Sequence, residues 1–202
     1  MLSPRIRRLK LDHDQMVQKF AGWPLIQITG TAGMPPEVYR FVYNIKGLFV
    51  SPTGDIQERA QHYLEVNLSL GYPRRAPQCR MLTPVFHPNI APHAICIGDH
   101  WSAGESLSSL VTRIGEMLAY QSYNTKSPLN GEAARWTDEN MDRLPLDAVR
   151  MDVEESRTVP APRPIPAALP LERPAPPPVA QPVAERGPLL APQTEDPVGN
   201  LE

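Results

Sequence analysis

The ten residues HPNIAPHAIC, from His87 to Cys96, bring two imidazoles, a side-chain amide and a thiol together. Pro88 stiffens the turn, and His87 is placed to hydrogen-bond nearby backbone and hold it. Asn89 and Cys96 are seven positions apart, so the chain has room to loop back and bring the amide near the thiol. The chemistry of this stretch depends on what the rest of the chain places around it.

Local residues leave four interpretations of Cys96 open. In the first, it is an inert core cysteine. In the second, it binds zinc together with His93 and His100. In the third, it is the nucleophile of a hydrolytic dyad oriented by Asp99. In the fourth, the thiol accepts an acyl group as a thioester and passes it to an amine. The fourth also explains Asn89, because a neutral amide N–H stabilises the oxyanion of acyl transfer without activating water.

Upstream of this stretch, residue periodicity predicts one helix and then strands. Ser3 and Pro4 form a typical helix start, and apolar residues at helical spacing predict a helix over about 4–21. Four runs then alternate as strands with one buried face do, and these are PLIQITGTAG (24–33), VYRFVYNIKGLFV (38–50), HYLEVNLSL (62–70) and QCRMLTPVF (78–86). With no helix between them, they predict a four-stranded antiparallel meander.

Downstream of Cys96 the spacing of the apolar residues changes to that of a helix. Ser106 is a predicted N-cap, and an apolar stripe predicts a helix over about 107–121. A short final helix follows in EAARWTDENMDRL (132–144) and is stopped by Pro145. The predicted class is therefore α+β: an N-terminal helix, a four-stranded meander, the cysteine segment and C-terminal helices.

Composition divides the chain into a folded domain over 1–150 and a tail over 151–202. Thirteen of the 25 prolines lie between Pro160 and Pro197, in a segment without aromatic residues. Such a segment cannot offset the entropy of its own ordering, so we expect a disordered tail that is partly polyproline II. It is either a solubilising linker or a ligand for a proline-recognising domain.

Charge and hydropathy exclude several function classes. The formal net charge of −2 gives no bulk attraction to nucleic acid, and no apolar run approaches the roughly 18–20 residues of a membrane span. The basic N-terminus lacks the apolar stretch of a secretory signal. We therefore expect a cytoplasmic location, with Cys79 and Cys96 as free thiols.

The order of motifs resembles that of the ubiquitin-conjugating enzymes. GYPRRAP is followed by a strand, the HPN turn, a cysteine, WS, an apolar helix and SPLN, where that family has a DPLN-like loop. The resemblance runs from the first helix to about Leu144. It implies a UBC-like fold and an enzyme that needs no cofactor or metal, with three partners: a ubiquitin-like modifier protein, an activating enzyme and a target protein.

The resemblance also implies roles for particular residues. Cys96 resembles the cysteine that receives the modifier's C-terminus, and Asn89 resembles the HPN asparagine, which stabilises the oxyanion or shapes the site. Ser127 falls where the family gates the entry of the attacking lysine. Asn124, in the same loop, is expected to touch the bound modifier. His87 completes the predicted site as the first residue of the HPN turn.

The first helix carries a basic face that includes Arg5, Arg7 and Arg8. Positive charge at a helix N-terminus opposes the backbone dipole, so the face is either simply solvated or a docking surface for an acidic partner. In the resembling family this face meets the activating enzyme, and that comparison favours docking.

Several departures from the family pattern point to a divergent member. Asn89 to Cys96 is about one residue tighter than usual, and Cys96 to Trp101 is also shorter. Arg74 replaces an aromatic residue and Ala103 replaces a proline at sites that usually contact the ligase, which argues against an ordinary RING or HECT ligase. These features, with an early end to the domain, predict a bacterial conjugation operon, antiviral in role, that works without a separate ligase.

Two rivals to this reading are kept open. The first is a non-catalytic UBC-fold protein that only binds a modifier or partner, although such variants typically lack the cysteine. The second is a metal- or thiol-dependent hydrolase, in which His93 and His100 would take part as ligands or bases.

Overall fold

A computed structural model describes residues 2–97, 101–146 and 151. The predicted tail beyond Met151 and the residues Asp99 and His100 lie outside that part of the chain. Helix α1 spans Pro4–Phe20 and confirms the predicted first helix. The Ser3 hydroxyl caps it by accepting a hydrogen bond from the Ile6 N–H at 3.3 Å.

In the described part of the chain, eight strands follow α1, and their pairings are antiparallel. They are β1 (Ile26–Gly33), β2 (Pro36–Tyr43), β3 (Gly47–Val50), β4 (Ile56–Arg59), β5 (His62–Asn67), β6 (Gln78–Met81), β7 (Ile90–Ala91) and β8 (Ala94–Ile95). The main sheet has the order β1-β2-β5-β6 and confirms the predicted four-stranded meander.

The predicted run over 38–50 is two strands in two different sheets. Strand β2 ends at Tyr43, where the Asn44 N–H donates to the Leu25 carbonyl at 2.8 Å. After Lys46, strands β3 and β4 form a separate hairpin. Gly47 is required at its start, because a Cβ there would lie 2.8 Å from Nε2 of His62.

Two further helices follow the cysteine segment. Helix α2 spans Leu107–Leu118, and its cap Ser106 accepts from the Ser109 N–H at 3.1 Å. It ends before the predicted 121, because Tyr120 adopts a positive φ of 55°. Helix α3 spans Gly131–Glu139, and the rest of the predicted final helix is a 3₁₀ turn over Met141–Arg143.

The main core lies between the inner face of the meander and helices α1 and α2. The largest fully buried side chains include Trp23, Tyr39 and Tyr43, and the Tyr43 hydroxyl donates to the Val111 carbonyl at 2.9 Å. A second, smaller core joins the β3–β4 hairpin to the site region and α3, and its buried members are Leu48, Phe86, Tyr120, Ala133 and Leu144. None of the described helices combines the length and apolar character needed to cross a membrane.

Candidate active site

The short hairpin of β7 and β8 reverses the chain and brings it back to the HPN turn. Its pairing places Ile90 opposite Ile95, and the next residue, Cys96, donates its backbone N–H to the Asn89 carbonyl at 2.9 Å. Cys96 is half-buried between the buried residues Ile95 and Ile97. The backbones of Asn89 and Cys96 are therefore adjacent, and the approach of the Asn89 amide to the thiol stays a prediction.

The Asn89 side chain is turned toward the loop over 124–127. Its Oδ1 accepts a hydrogen bond from the Asn124 N–H at 2.7 Å, and its Nδ2 donates to the Asn124 carbonyl at 2.9 Å. The second Nδ2 contact, to the Ser127 carbonyl at 3.5 Å, is at the outer limit of a hydrogen bond. One N–H of the amide is thus firmly engaged and the other only weakly. We call this arrangement the Asn89 clasp.

Backbone bonds extend the clasp along the same loop. The Pro88 carbonyl accepts from the N–H groups of Leu129 and Asn130 at 2.8 and 2.9 Å. The Asn124 Oδ1 accepts from the Lys126 N–H at 2.9 Å, which folds the loop on itself. Ser127 is exposed at this point. The residue predicted to gate the site and the residue predicted to touch the modifier are therefore both held beside the HPN turn.

His87 lies at the bottom of this turn and is fully buried. Its Nδ1 accepts the Asn89 N–H at 3.0 Å, as predicted for a residue that holds the turn, and this bond places the ring proton on Nε2. The ring packs on Tyr120 with the two centroids 4.7 Å apart. Burial lowers the pKa of His87 to about 3, so the imidazole is neutral at physiological pH. This geometry supports the turn and gives His87 no access to a substrate.

The two cysteines are in different environments. Cys79 lies in β6 with 6% of its surface exposed, and burial raises the pKa of its thiol to about 12. It therefore stays protonated and unreactive at neutral pH. Cys96, which directly follows β8, is half-buried and is the more accessible of the two cysteines.

His93 is exposed at the tip of the β7–β8 hairpin. It borders a groove whose other wall is formed by β5 and β6, including Glu65 and Arg80. The Glu65 carboxylate is already paired with Arg40 and Arg80, at 3.0 and 2.9 Å. Within residues 2–97, 101–146 and 151, no group of three His, Cys, Asp or Glu side chains is placed to hold a metal ion. His100, the other predicted zinc ligand, is outside these residues.

The basic face of α1 is divided by the structure. Arg5 donates to Glu37 at 2.6 Å and to the carbonyls of Leu68 and Ser69 at 3.2 Å each. Arg7 alone of the three predicted docking arginines is exposed. Arg5 therefore has a structural role that the sequence pattern did not reveal.

Arg8 is likewise committed to contacts within the chain. It pairs with Asp12 at 2.7 Å, donates to the Tyr72 hydroxyl at 3.2 Å, and donates to the carbonyls of Ala103 and Glu105. Asp12, which sequence reasoning missed, is 1% exposed. Its i, i+4 spacing from Arg8 was the available signal.

Comparison with known proteins now assigns this architecture. The family model described as ubiquitin-conjugating enzyme matches residues 31–149, which is more than half of the chain. The chain belongs to the ubiquitin-conjugating enzyme family. Thioester transfer of ubiquitin or a ubiquitin-like modifier is the general activity of this family.

Individual members of the ubiquitin-conjugating enzyme family agree with this assignment. The chain is 28% identical over 123 residues to ubiquitin-conjugating enzyme E2 16 of Schizosaccharomyces pombe, over 58% of this chain and 76% of that protein. It superposes on the solved structure of Ubc12 from S. cerevisiae with a TM-score of 0.53 and 24% identity, over 74% of this chain and 79% of that one. This second likeness supports the UBC-like α+β fold.

Proposed function

We propose that Cys96 accepts the C-terminus of a ubiquitin-like modifier from an activating enzyme and passes it to an amine of a target protein. The observation that carries this proposal is the position of Cys96. Its thiol is the accessible one of the two, and its backbone is hydrogen-bonded to the HPN turn beside the clasped loop. Cys79, with its pKa raised to about 12 by burial, is unsuited to nucleophilic attack.

The first step is transthiolation. The Cys96 thiolate attacks the carbonyl carbon of the thioester on the activating enzyme, and a new C–S bond forms as the bond to the enzyme's cysteine breaks. That cysteine leaves as a thiolate, and the proton given up by Cys96 balances it. The acyl group keeps most of its transfer free energy because one thioester replaces another.

The second step is aminolysis. A neutral amine of the target, a lysine side chain in the first instance, attacks the carbonyl carbon, so that a C–N bond forms and the C–S bond to Cys96 breaks. The amine loses one proton and the Cys96 thiolate takes up one, which regenerates the enzyme. Positioning and desolvation of the amine contribute most here, and no strong base is required.

The Asn89 clasp supports two contributions to this chemistry. It holds Asn124 and Ser127 beside the HPN turn, and we expect the exposed Ser127 to border the path of the incoming amine. The contact from Asn89 Nδ2 to the Ser127 carbonyl is long, at 3.5 Å, so the amide keeps donor capacity that an oxyanion could use. His87 transfers no proton in this scheme and acts by fixing the Asn89 backbone.

A thioester assay tests the proposal. The full chain is incubated with an activating enzyme, ATP and a ubiquitin-like modifier, and adducts are separated with and without reductant. We expect a reducible adduct in the wild type and in the control Cys79→Ala, none in Cys96→Ala, and a reductant-stable adduct in Cys96→Lys. Adduct formation undiminished in Cys96→Ala would contradict the proposal.

The same assay addresses the rival, a UBC-fold protein that binds a modifier without carrying it. Binding of the modifier by a chain whose Cys96 never forms an adduct would favour that rival. The bacterial antiviral setting, the cytoplasmic location and the absence of a separate ligase stay predictions. Neighbouring genes for an activating enzyme and a ubiquitin-like protein would support the setting, and discharge to lysine without a ligase would support the last.

A further inference from the structure

Tyr120 occupies a backbone position that residues with a side chain usually avoid. In the described part of the chain it is the only residue other than glycine with a positive φ, 55°. Its N–H donates to the Met117 carbonyl and the Gln121 N–H donates to the Glu116 carbonyl, each at 2.9 Å, which is the Schellman ending of helix α2. Glycine is the usual residue there, because a Cβ disfavours the left-handed region. A tyrosine at this position indicates that its side chain is needed where this backbone directs it.

The Tyr120 side chain reaches the start of the HPN turn by two contacts. Its hydroxyl donates to the Phe86 carbonyl at 2.6 Å, and the Phe86 N–H donates to the Leu48 carbonyl at 2.7 Å. Its ring packs on the His87 imidazole, with the two centroids 4.7 Å apart. The buried Nε2 of His87 has no hydrogen-bond partner among the described residues, so the imidazole depends on this packing for its orientation.

Tyr120 also contacts the start of the loop that completes the Asn89 clasp. Its ring centroid lies 5.9 Å from that of Tyr123, and Tyr123 directly precedes Asn124. The backbone of Asn124 both donates to and accepts from the Asn89 amide. Tyr120 therefore contacts both of the segments that the clasp joins, the HPN turn on one side and the start of the loop on the other.

We infer that Tyr120 is a positioning residue for transfer of the modifier from Cys96. It acts through Asn89, because the His87 ring that it holds accepts the Asn89 N–H at 3.0 Å and so fixes the residue that carries the amide. This inference rests on the proposed function, since the orientation of the amide affects a rate only if an acyl group is transferred beside it. Tyr120 is buried, so it acts without contacting a substrate.

The alternative is that Tyr120 only stabilises the fold, and Tyr43 provides the matched comparison. The Tyr43 hydroxyl also donates to a backbone carbonyl, that of Val111, at 2.9 Å, and the side chain is fully buried. Tyr43 lies in the main core, whereas Tyr120 lies in the second core with Phe86. Tyr43→Phe and Tyr120→Phe each remove one buried hydrogen bond from a hydroxyl to a carbonyl, and only the bond of Tyr120 adjoins the HPN turn.

The test compares discharge of the Cys96 thioester to free lysine in the wild type, Tyr120→Phe and Tyr43→Phe. Tyr120→Phe is expected to lower the limiting discharge rate by about tenfold with the KM for lysine unchanged, because a displaced amide slows the reaction without altering amine binding. Hydrogen exchange at the Asn124 N–H should be faster in Tyr120→Phe alone. Tyr43→Phe is expected to keep the wild-type discharge rate, although its urea midpoint should fall by a similar amount.

A double variant tests whether Tyr120 acts through Asn89. Asn89→Ala already removes the amide that Tyr120 positions, so Tyr120→Phe/Asn89→Ala should discharge at the rate of Asn89→Ala. A further fall in the double variant would overturn the inference alone, as would equal discharge rates in Tyr120→Phe and Tyr43→Phe, or slow discharge without faster exchange at Asn124. Failure of the wild type to form any Cys96 adduct would overturn the proposed function and the inference with it.

Discussion

Two buried polar side chains anchor this molecule, one charged and one neutral. Asp12 is 1% exposed and accepts hydrogen bonds from Arg8 at 2.7 Å, from the Tyr72 hydroxyl, and from the Leu107 N–H at 3.3 Å. It joins α1, the turn after β5 and the start of α2. Asn89 is also buried, and its amide joins the HPN turn to the loop over 124–127.

The difference in charge follows from what each anchor adjoins. A carboxylate at the N-terminus of α2 is favoured by the helix dipole and by its arginine partner. Beside Cys96 a carboxylate would oppose both the thiolate and the oxyanion. A neutral amide holds the loop there without adding charge to the transition state. The charged anchor therefore adjoins the start of α2, and the neutral one adjoins the cysteine segment.

Removal of the charged anchor is expected to have the largest effect on stability. Asp12→Ala leaves Arg8 partly buried without its partner, and breaking such a pair costs about 3–5 kcal/mol of unfolding free energy. Urea denaturation measures this cost, and Asp12→Asn, which keeps the size and one acceptor, should lose less. A loss below about 1 kcal/mol for Asp12→Ala would show that Asp12 is not an anchor.

Removal of the neutral anchor is expected to affect stability less and activity more. Asn89→Ala breaks the clasp and should lower the free energy of unfolding by about 1–3 kcal/mol. It should also speed hydrogen exchange at the Asn124 backbone amide and slow discharge of the thioester. Asn89→Asp keeps an acceptor for that amide but sets a buried carboxylate against the carbonyls of Asn124 and Ser127, so it should lose at least as much stability as Asn89→Ala and also discharge slowly. A slow discharge in Asn89→Ala without any loss of stability would assign Asn89 to the oxyanion alone.

Acid should destabilise the fold through two buried histidines, His62 and His87. Burial lowers the pKa of His87 to about 3 and of His62 to about 4. Below the unfolded pKa of about 6.5, the unfolded chain binds a proton at each site and the folded chain does not. Stability is thus retained above about pH 6.5 and falls toward pH 4 by about 1.4 kcal/mol per pH unit for each histidine.

The pH titration of unfolding free energy between pH 7 and 4.5 checks this prediction. His87→Asn should reduce the slope by the contribution of one histidine, while exposed His93→Asn should leave it unchanged. An equal slope in all three proteins would contradict the burial account.

The smallest effect is expected at Glu65, a charged side chain that keeps 19% of its surface exposed. Glu65 bridges Arg40 and Arg80 across the outer face of the meander. Glu65→Gln should cost about 1 kcal/mol or less, since solvent and salt screen such pairs. Thermal melting at low and high salt measures this loss of stability. A loss equal to that of Asp12→Ala would contradict the contrast between the fully buried Asp12 and the partly exposed Glu65.

The elements that could be predicted from the sequence are those in which one face is buried, because the spacing of their apolar residues shows which face it is. The stripe of α1 and the alternation of β2 and β5 come from one-sided burial, so their periods are visible in the chain. The β3–β4 hairpin escaped prediction because apolar residues continue after β2, at Ile45, Leu48 and Phe49, with no clear turn signal between them. The change of sheet is shown only by a tertiary contact, in which the Phe86 N–H donates to the Leu48 carbonyl at 2.7 Å.

The roles of the candidate site residues stay predictions, and their hydrogen bonds were only partly predictable. The spacing of Asn89 and Cys96 predicted that the chain loops back between them, and the hairpin of β7 and β8 reverses the chain there. The partner of the Asn89 amide lies 35 residues away, so no local pattern identifies it. Arg5 and Arg8 were expected to be solvated or to dock a partner, because Glu37 and the loop carbonyls that they bind are distant in sequence.

The most direct test of the central claim is the mass of the charged chain. After reaction with activating enzyme, ATP and modifier, the account predicts an increase by the modifier's mass less one water, reversed by reductant and mapped by peptide analysis to Cys96. An adduct mapped to Cys79 or to a lysine, or one that reductant does not remove from the wild type, would contradict it.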